Sequence, residues 1–253
     1  MNETLSCLMK RRSIRKYADR PIEEDAKKAV LDAAFRAPTA GAMMLYSIIE
    51  VEDPQKKAQL AESCDHQPFI ATAPWLLLFL ADYQRWQDGY AHFNVEEAAR
   101  QHGRQIRQPG VGDLMLACLD AIIAAQTAVI AAESLGIGSC YIGDILENYE
   151  IHQKLLNLPR YTMPVALVCF GYPAVSEMQR KYTARFDREL VLFKDSYRRL
   201  TKEELERAFN ADPEVVNAAE RNYLRKFSAD FSFEMTRSVK KMLENWQQDS
   251  SPA

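Results

Sequence analysis

No two cysteines of this chain stand at CxxC spacing, and no two of its four histidines, His66, His92, His102 and His152, stand at HxxxH spacing. A zinc or haem site is therefore not expected, and the odd, scattered set Cys7, Cys64, Cys118, Cys140 and Cys169 suits a reducing cytoplasm rather than a disulfide framework. Excess positive charge is absent too: the formal charge is -3 and the pI about 5.9, which argues against a nucleic-acid footprint. Met1 to Lys10 holds no apolar stretch of the kind a secretory signal needs. The most apolar window, Leu114 to Leu135, is broken by Asp120, Gln126 and Glu133. Charges at a bilayer centre cost roughly 2.5–3.5 kcal/mol each, so a buried helix is expected there and not a membrane span. Low-complexity segments and internal repeats are missing.

The usual phosphate and nucleophile motifs are also lacking. There is no GxxxxGK[ST], and Gly136-Ile137-Gly138 with Gly143 has the wrong spacing for a dinucleotide fingerprint and follows a helical stretch instead of a strand. Ser13 and Ser139 lie outside any GxSxG setting, and the apolar surroundings of Cys140 point to a core thiol. With no convincing acid, base, nucleophile or metal ligand, the expectation is that a bound cofactor carries the chemistry and that no side chain is catalytic in its own right.

What is present is a basic cluster near the start, Arg11-Arg12-Ser13-Ile14-Arg15-Lys16-Tyr17, with four cations and a hydroxyl in seven positions. Guanidinium groups match phosphate oxygens in pairs, and Ser13 adds a neutral donor. A second cluster comprises Arg180, Lys181 and Arg185. Between them, the pattern predicts helices over Leu5 to Lys10, Glu23 to Ala37, Pro54 to Cys64, Leu114 to Leu135 and Glu147 to Leu156. Strands are expected at Ser47 to Val51, Pro74 to Asp82, Ser139 to Ile142 and Pro164 to Phe170, the second and last apolar on both faces. Pro38-Thr39-Ala40-Gly41-Ala42 reads as a loop of small residues that a flat ligand or another backbone can approach. Residues 83–112 show no clear periodicity and read as an excursion overhanging a site; Thr201 to Asn210 and Pro213 to Trp246 read as more polar helix. The long apolar helix is of the kind that often lies in a subunit interface.

These residues, in this order, resemble the FMN-dependent nitroreductase and flavin reductase family. The resemblance rests on Arg11-Arg12-Ser13-Ile14-Arg15, the small-residue loop near Ala37-Pro38-Thr39, the run Ala131 to Gly143 ending Gly-Ile-Gly-Ser-Cys-Tyr-Ile-Gly, Leu156-Asn157-Leu158-Pro159, Phe170-Gly171-Tyr172-Pro173 and Asp195-Ser196-Tyr197. It covers about residues 5–210 and looks most like the oxygen-insensitive NADPH nitroreductase branch. It implies an α+β, three-layer fold with a central, mostly antiparallel sheet flanked by helices, in an intertwined homodimer. It further implies an FMN-binding domain over 1–210, with 83–112 over the site, and a helical extension over 211–253.

Carried over by position, the resemblance gives Arg11, Arg12, Ser13 and Arg15 to the FMN phosphate and ribityl end, with Arg15 extending to the ring's pyrimidine edge. Thr39, Ala40 and Gly41 would come from the partner subunit. Gln67 would meet the pyrimidine edge, and Tyr141, Ile142, Gly143 and Asp144 would cover one ring face, with a backbone N–H near N5. Arg185 would lie near the phosphate. The lysine usual two residues before it is Thr183 here, with Lys181 or Arg180 standing in. Ala42-Met43-Met44 is apolar where polar side chains are usual, and Asp144 replaces a common glycine and would tune the potential by repelling the anionic reduced flavin.

The implied activity is hydride transfer from NADPH or NADH through flavin N5 to a small electron acceptor such as a nitroaromatic, quinone or free flavin, in two half-reactions. Reductive dehalogenation or flavin breakdown on the same scaffold, or a non-enzymatic flavin-binding role, are the alternatives.

Overall fold

The structure is a computed structural model that describes residues 2–209 and 218–247. Its centre is a four-stranded, wholly antiparallel sheet of order β1-β2-β4-β3, made of β1 (Tyr46–Glu50), β2 (Trp75–Asp82), β3 (Gly138–Ile142) and β4 (Thr162–Gly171). The two inner strands are the two runs apolar on both faces, and period-two alternation sends their side chains to separate cores. Trp75, Leu77, Phe79, Val168 and Phe170 join one core with Val30 and Ala34 of α2 (Glu24–Phe35) and with the buried alanines of α6 (Val111–Ser134). Leu76, Leu78, Leu80, Leu167 and Cys169 join the other with Leu60 and Ala61 of α3 (Pro54–Ser63) and with Cys140, Ile142 and Ile145. Helix, sheet and helix thus form three layers, as expected. Pro164 lies within an inner strand, where it has no N–H to donate, and the β2–β4 register slips between Phe79 and Leu80 opposite it.

Each element expected before residue 201 is found, with ends shifted by a few residues, whereas the helix expected over Pro213 to Trp246 is interrupted, among the described residues, at Ser228 and Ala229. α1 (Glu3–Lys10) begins on an Asn2 cap, whose Oδ1 accepts from Leu5 N at 2.9 Å. Pro54 opens α3 behind an Asp53 cap, and α2 stops at Phe35, short of Pro38. Residues 83–112 are more regular than their composition suggests: α4 (Gln84–His92) and α5 (Val95–Gln101) flank Asn94 in the left-handed region at φ 50°. α7 (Tyr149–Leu156) and α8 (Val175–Met178) follow on either side of β4.

The chain divides into two compact units, one through Gln179 and again from Glu234 onward, the other Arg180–Phe233. The first regains the C-terminal helix α11 (Asp230–Gln247): Tyr149 N donates to Ser238 Oγ at 3.0 Å, and Trp246 Nε1 donates to Pro109 O at 3.1 Å. The second contains α9 (Lys202–Phe209), α10 (Ala218–Asn222) and a π turn at Tyr223–Phe227. The boundary expected between 210 and 211, with the helix end expected at Asn210 and the helix start expected at Pro213, lies outside the described residues.

The edge of the sheet carries the basic cluster. Ser13 forms a parallel bridge with Ser139 of β3, and Ile14 N donates to Ser139 O at 2.9 Å. Ile14 is buried directly over Gly138, where an added Cβ would run into the Ile14 side chain. Tyr17 lies over Gly171 in the same way and bridges Pro173. Gly138→Ala is expected to destabilise the protein by roughly 1–3 kcal/mol, as overpacking against a stiff β-branched side chain does, read as a lower urea midpoint.

α6 is buried along one face only. Asp120, mid-helix and buried, spends its carboxylate on backbone: Oδ1 accepts from Ala40 N at 2.9 Å and Oδ2 from Leu45 N at 3.0 Å. The opposite side exposes Met115, Leu116, Leu119, Ile122 and Ile123. Asp120→Asn leaves one of the two amides facing an NH2 group, and a urea melt should show a loss of about 1.5–3 kcal/mol, the worth of a hydrogen bond to a charged group.

Candidate functional site

The site starts from the two glycines, since they let residues 11–18 lie along the sheet edge. Beyond the Ser13–Ser139 bridge, Ala18 N donates to Tyr172 O at 2.8 Å and Ala174 N donates to Lys16 O at 3.0 Å. Two contacts from α8 complete the anchorage: Arg15 N donates to Glu177 Oε2 at 3.2 Å, and Arg12 Nη1 donates to Met178 O at 3.0 Å. The backbone of the cluster is thereby fixed while its guanidinium groups remain at or near the surface. Arg11 lies close enough to Glu133 and Tyr141 for its charge to act on both. Burial raises the Glu133 carboxyl, with Arg11 and Arg12 opposing that shift, and burial pushes the Tyr141 hydroxyl up to about 12 against Arg11. The Arg15 guanidinium sits 6.0 Å from the centre of the Phe69 ring.

β3 runs from this bridge to Tyr141 and Ile142, and the chain then turns through the short 3-10 segment Gly143–Leu146. Tyr141 is steadied from α6, its hydroxyl donating to Gln126 Oε1 at 3.3 Å. At the turn, Asp144 Oδ2 accepts from Gln67 Nε2 at 2.7 Å, and the same Nε2 donates to Cys64 O at 2.9 Å. Gln67 follows Asp65 and His66, two consecutive residues in the left-handed region at φ 57° and 51°. A backbone so contorted in non-glycine residues is costly, and the paired donations of Gln67 help hold it.

The fold therefore brings Arg11, Arg12, Ser13 and Arg15 to one stretch of sheet edge. The same strand leads from there to Tyr141, Ile142, Gly143 and Asp144, which meet Gln67. Thr39, Ala40 and Gly41 are placed elsewhere, on the Asp120 anchor of α6. Gly41, Ala42 and Met44 all have positive φ there, and the loop is braced by α4: Trp86 Nε1 donates to Met43 O at 2.9 Å and Arg85 Nη1 to Met44 O at 3.2 Å. Lys181 and Arg185 belong to the second unit and are exposed, with Arg185 Nη1 donating to Thr183 O and Ala184 O, both at 3.2 Å.

Four contributors escaped the sequence reading: Phe69, Asp120, Gln126 and Glu177. Asp120 and Gln126 did give a signal, being polar residues in an apolar helix, but that signal weighed only against a membrane span. Cys140 and His152 are core residues. His152 Nε2 lies 2.8 Å from Ser63 Oγ and its Nδ1 lies 3.0 Å from Ile145 O, and burial lowers its pKa. Among the described residues no group of three potential metal ligands occurs.

The donor set suits a phosphorylated heteroaromatic group. Arginines and a serine hydroxyl answer a phosphate. Gln67, both amide hydrogens spent, offers an oxygen acceptor to a ring N–H.

Comparison with known proteins gives a consistent result. The model of the nitroreductase family matches residues 8–172. The chain is 30% identical over 248 residues to the FMN reductase [NAD(P)H] of Bacillus subtilis, covering 98% of this chain and 89% of that protein. It is 30% identical over 208 residues to the oxygen-insensitive NADPH nitroreductase of Salmonella typhimurium, covering 82% and 80%. The crystal structure of nitroreductase A from Vibrio parahaemolyticus shares the fold, with a TM-score of 0.80 over 96% of this chain and 98% of that one at 24% identity.

Proposed function

This chain belongs to the nitroreductase family, and we propose that it is an FMN-dependent oxidoreductase that uses NAD(P)H to reduce small acceptors such as nitroaromatics, quinones or free flavins. One observation carries the reading: the sheet edge that holds Arg11-Arg12-Ser13 continues along β3 into the turn where Asp144 meets Gln67. The candidate phosphate donors and ring contacts thus lie on the segment bridged to one strand and at the turn that ends it. FMN, when bound, supplies the hydride-accepting and hydride-donating centre. The chain's own part is to bind and orient. Arg11, Arg12 and Ser13 take the phosphate end. Arg15 adds positive charge towards the pyrimidine edge, where negative charge grows on reduction. Tyr141 to Asp144 lie along one ring face, and no side chain has to move a proton in the hydride step.

The second part of the proposal is a homodimer. Met115, Leu116, Leu119, Ile122 and Ile123 form an exposed apolar stripe at helical spacing on α6. Asp120 of the same helix holds the loop Thr39 to Gly41, so pairing of two such helices carries that loop towards the partner's flavin. α4 braces the loop, which supports a covering role for residues 83–112. Five cysteines free of disulfides suit a cytoplasmic setting.

Purified protein should be yellow, or become so with FMN, and bleach anaerobically with NADPH or NADH; a colourless protein that takes up no FMN would remove the reading. Arg11→Ala and Arg12→Ala should each weaken FMN binding roughly tenfold or more, because a charge-assisted hydrogen bond is worth about 1.5–3 kcal/mol. Flavin fluorescence quenching measures this. Ile122→Glu should give a monomer by sedimentation with weakened FMN binding, and a dimer that survives would place the interface elsewhere.

A further inference from the structure

The turn after β3 buries an acid that the hydride reading does not use. Glu147 N donates to Asp144 O at 3.0 Å, which closes the turn and sets the two side chains together, where their carboxyls interact directly. Glu147 is only 4% exposed, and its Oε1 has no hydrogen-bond partner. The groups around it bring almost no compensating charge. Asp65, from the loop after α3, and Glu234, from α11, add negative charge. Arg237 of α11 is committed to others, its Nε 2.8 Å from Glu234 Oε2 and its Nη1 2.8 Å from Glu150 Oε1. The Cys64 thiol, raised chiefly by burial and then by Asp144 and Glu147, stays protonated, and buried His152 has its pKa lowered. Burial first, and Asp144 second, push the Glu147 carboxyl up to about 8.

Glu147 therefore keeps its proton at neutral pH and can offer it in a hydrogen bond to Asp144, with Asp144 still able to accept from Gln67. Both hydrogens of Gln67 Nε2 are engaged, one at Asp144 Oδ2 and one at Cys64 O. The amide is thereby locked with its oxygen outward. Resting on the FMN reading above, we propose that Glu147 is a positioning residue of the flavin site: its protonated carboxyl donates a hydrogen bond to Asp144, and Asp144 fixes the Gln67 amide so that its oxygen faces the ring's N–H edge. Ionising Glu147 puts two carboxylates side by side, one buried and one half-buried, drives Asp144 off the amide and frees Gln67 to turn.

The sign of the pH effect follows from the raised value in the fold. Below the ordinary carboxylate pKa of about 4.3 the acid is protonated whether folded or not. As pH rises from there to about 8 the unfolded chain ionises while the fold keeps its proton, so stability falls across that window and then levels.

The test uses apoprotein and FMN separately. Infrared spectra of the apoprotein should show a protonated-carboxyl C=O band that disappears with a midpoint near pH 8 and is absent from Glu147→Gln. FMN binding to wild type should weaken about three- to tenfold on passing above that pH, the cost of a lost hydrogen bond between neutral groups. Glu147→Gln, whose amide can still donate to Asp144, should keep the neutral-pH affinity throughout and melt no lower than wild type at alkaline pH. A band that persists in Glu147→Gln, a midpoint in the ordinary carboxylate range, or matching pH profiles of FMN binding in the two proteins would each overturn the proposal. If the band titrates as expected but FMN binds at no pH, the flavin reading fails and the positioning role with it, while the protonated Glu147 stands as a finding of its own.

Discussion

Ile14 packs straight onto Gly138, and Tyr17 onto Gly171, at two points where any side chain on the glycine would collide. Most of the candidate site follows from those two approaches. They let a segment with four cations lie along β3 as an added, singly bridged edge, with only Ile14 buried and the guanidinium groups left outward. The same anchorage explains why so polar a segment is ordered at all. Its backbone hydrogen bonds go to Ser139, Tyr172 and Ala174 and to the Glu177 carboxylate, so the side chains need no partners within the segment to hold it in place.

The second support is a charge inside α6. A carboxylate in the middle of an apolar helix is expensive unless it is fully bonded, and Asp120 is bonded to two backbone amides that frame the loop after α2. That loop holds Gly41, Ala42 and Met44 at positive φ, which for alanine and methionine costs of order 1–3 kcal/mol each. Asp120 on one side and Arg85 and Trp86 on the other offset that cost. The result is a preformed loop on the helix that also carries the exposed apolar stripe, so one helix organises both the core and the outer face.

Legibility in the sequence followed the strength of the local signal. β2 and β4 were plain because both faces are buried and proline and glycine bound the runs. α6 was plain as a helix, but hydropathy alone cannot separate the side that meets the sheet from the side left open. Residues 83–112 hid two short helices because these are largely exposed, and exposure leaves no apolar period to detect. Among the candidate site residues, Arg11 to Arg15 and Tyr141 to Asp144 stood out as compact motifs. Glu177 and Phe69 did not, because their roles exist only once distant segments meet. Glu147 looked like an ordinary helix-start acid three residues from Asp144, and neither its burial nor its proximity to Asp65 and Glu234 could be read from its own stretch of chain.

The anchorage of the basic segment has a consequence for how the molecule comes into being. The bonds that hold Arg15 and Arg12 reach 162 and 166 residues along the chain, to Glu177 and Met178. On a ribosome the segment emerges well ahead of β3, β4 and α8, so its docking surface is incomplete until all three have been made. Closure of so long a loop comes after the sheet it closes onto. The cationic segment is thus translated before the surface it docks onto and assembled after it, and a nascent chain stalled before residue 171 would carry its arginines with nowhere to lay them.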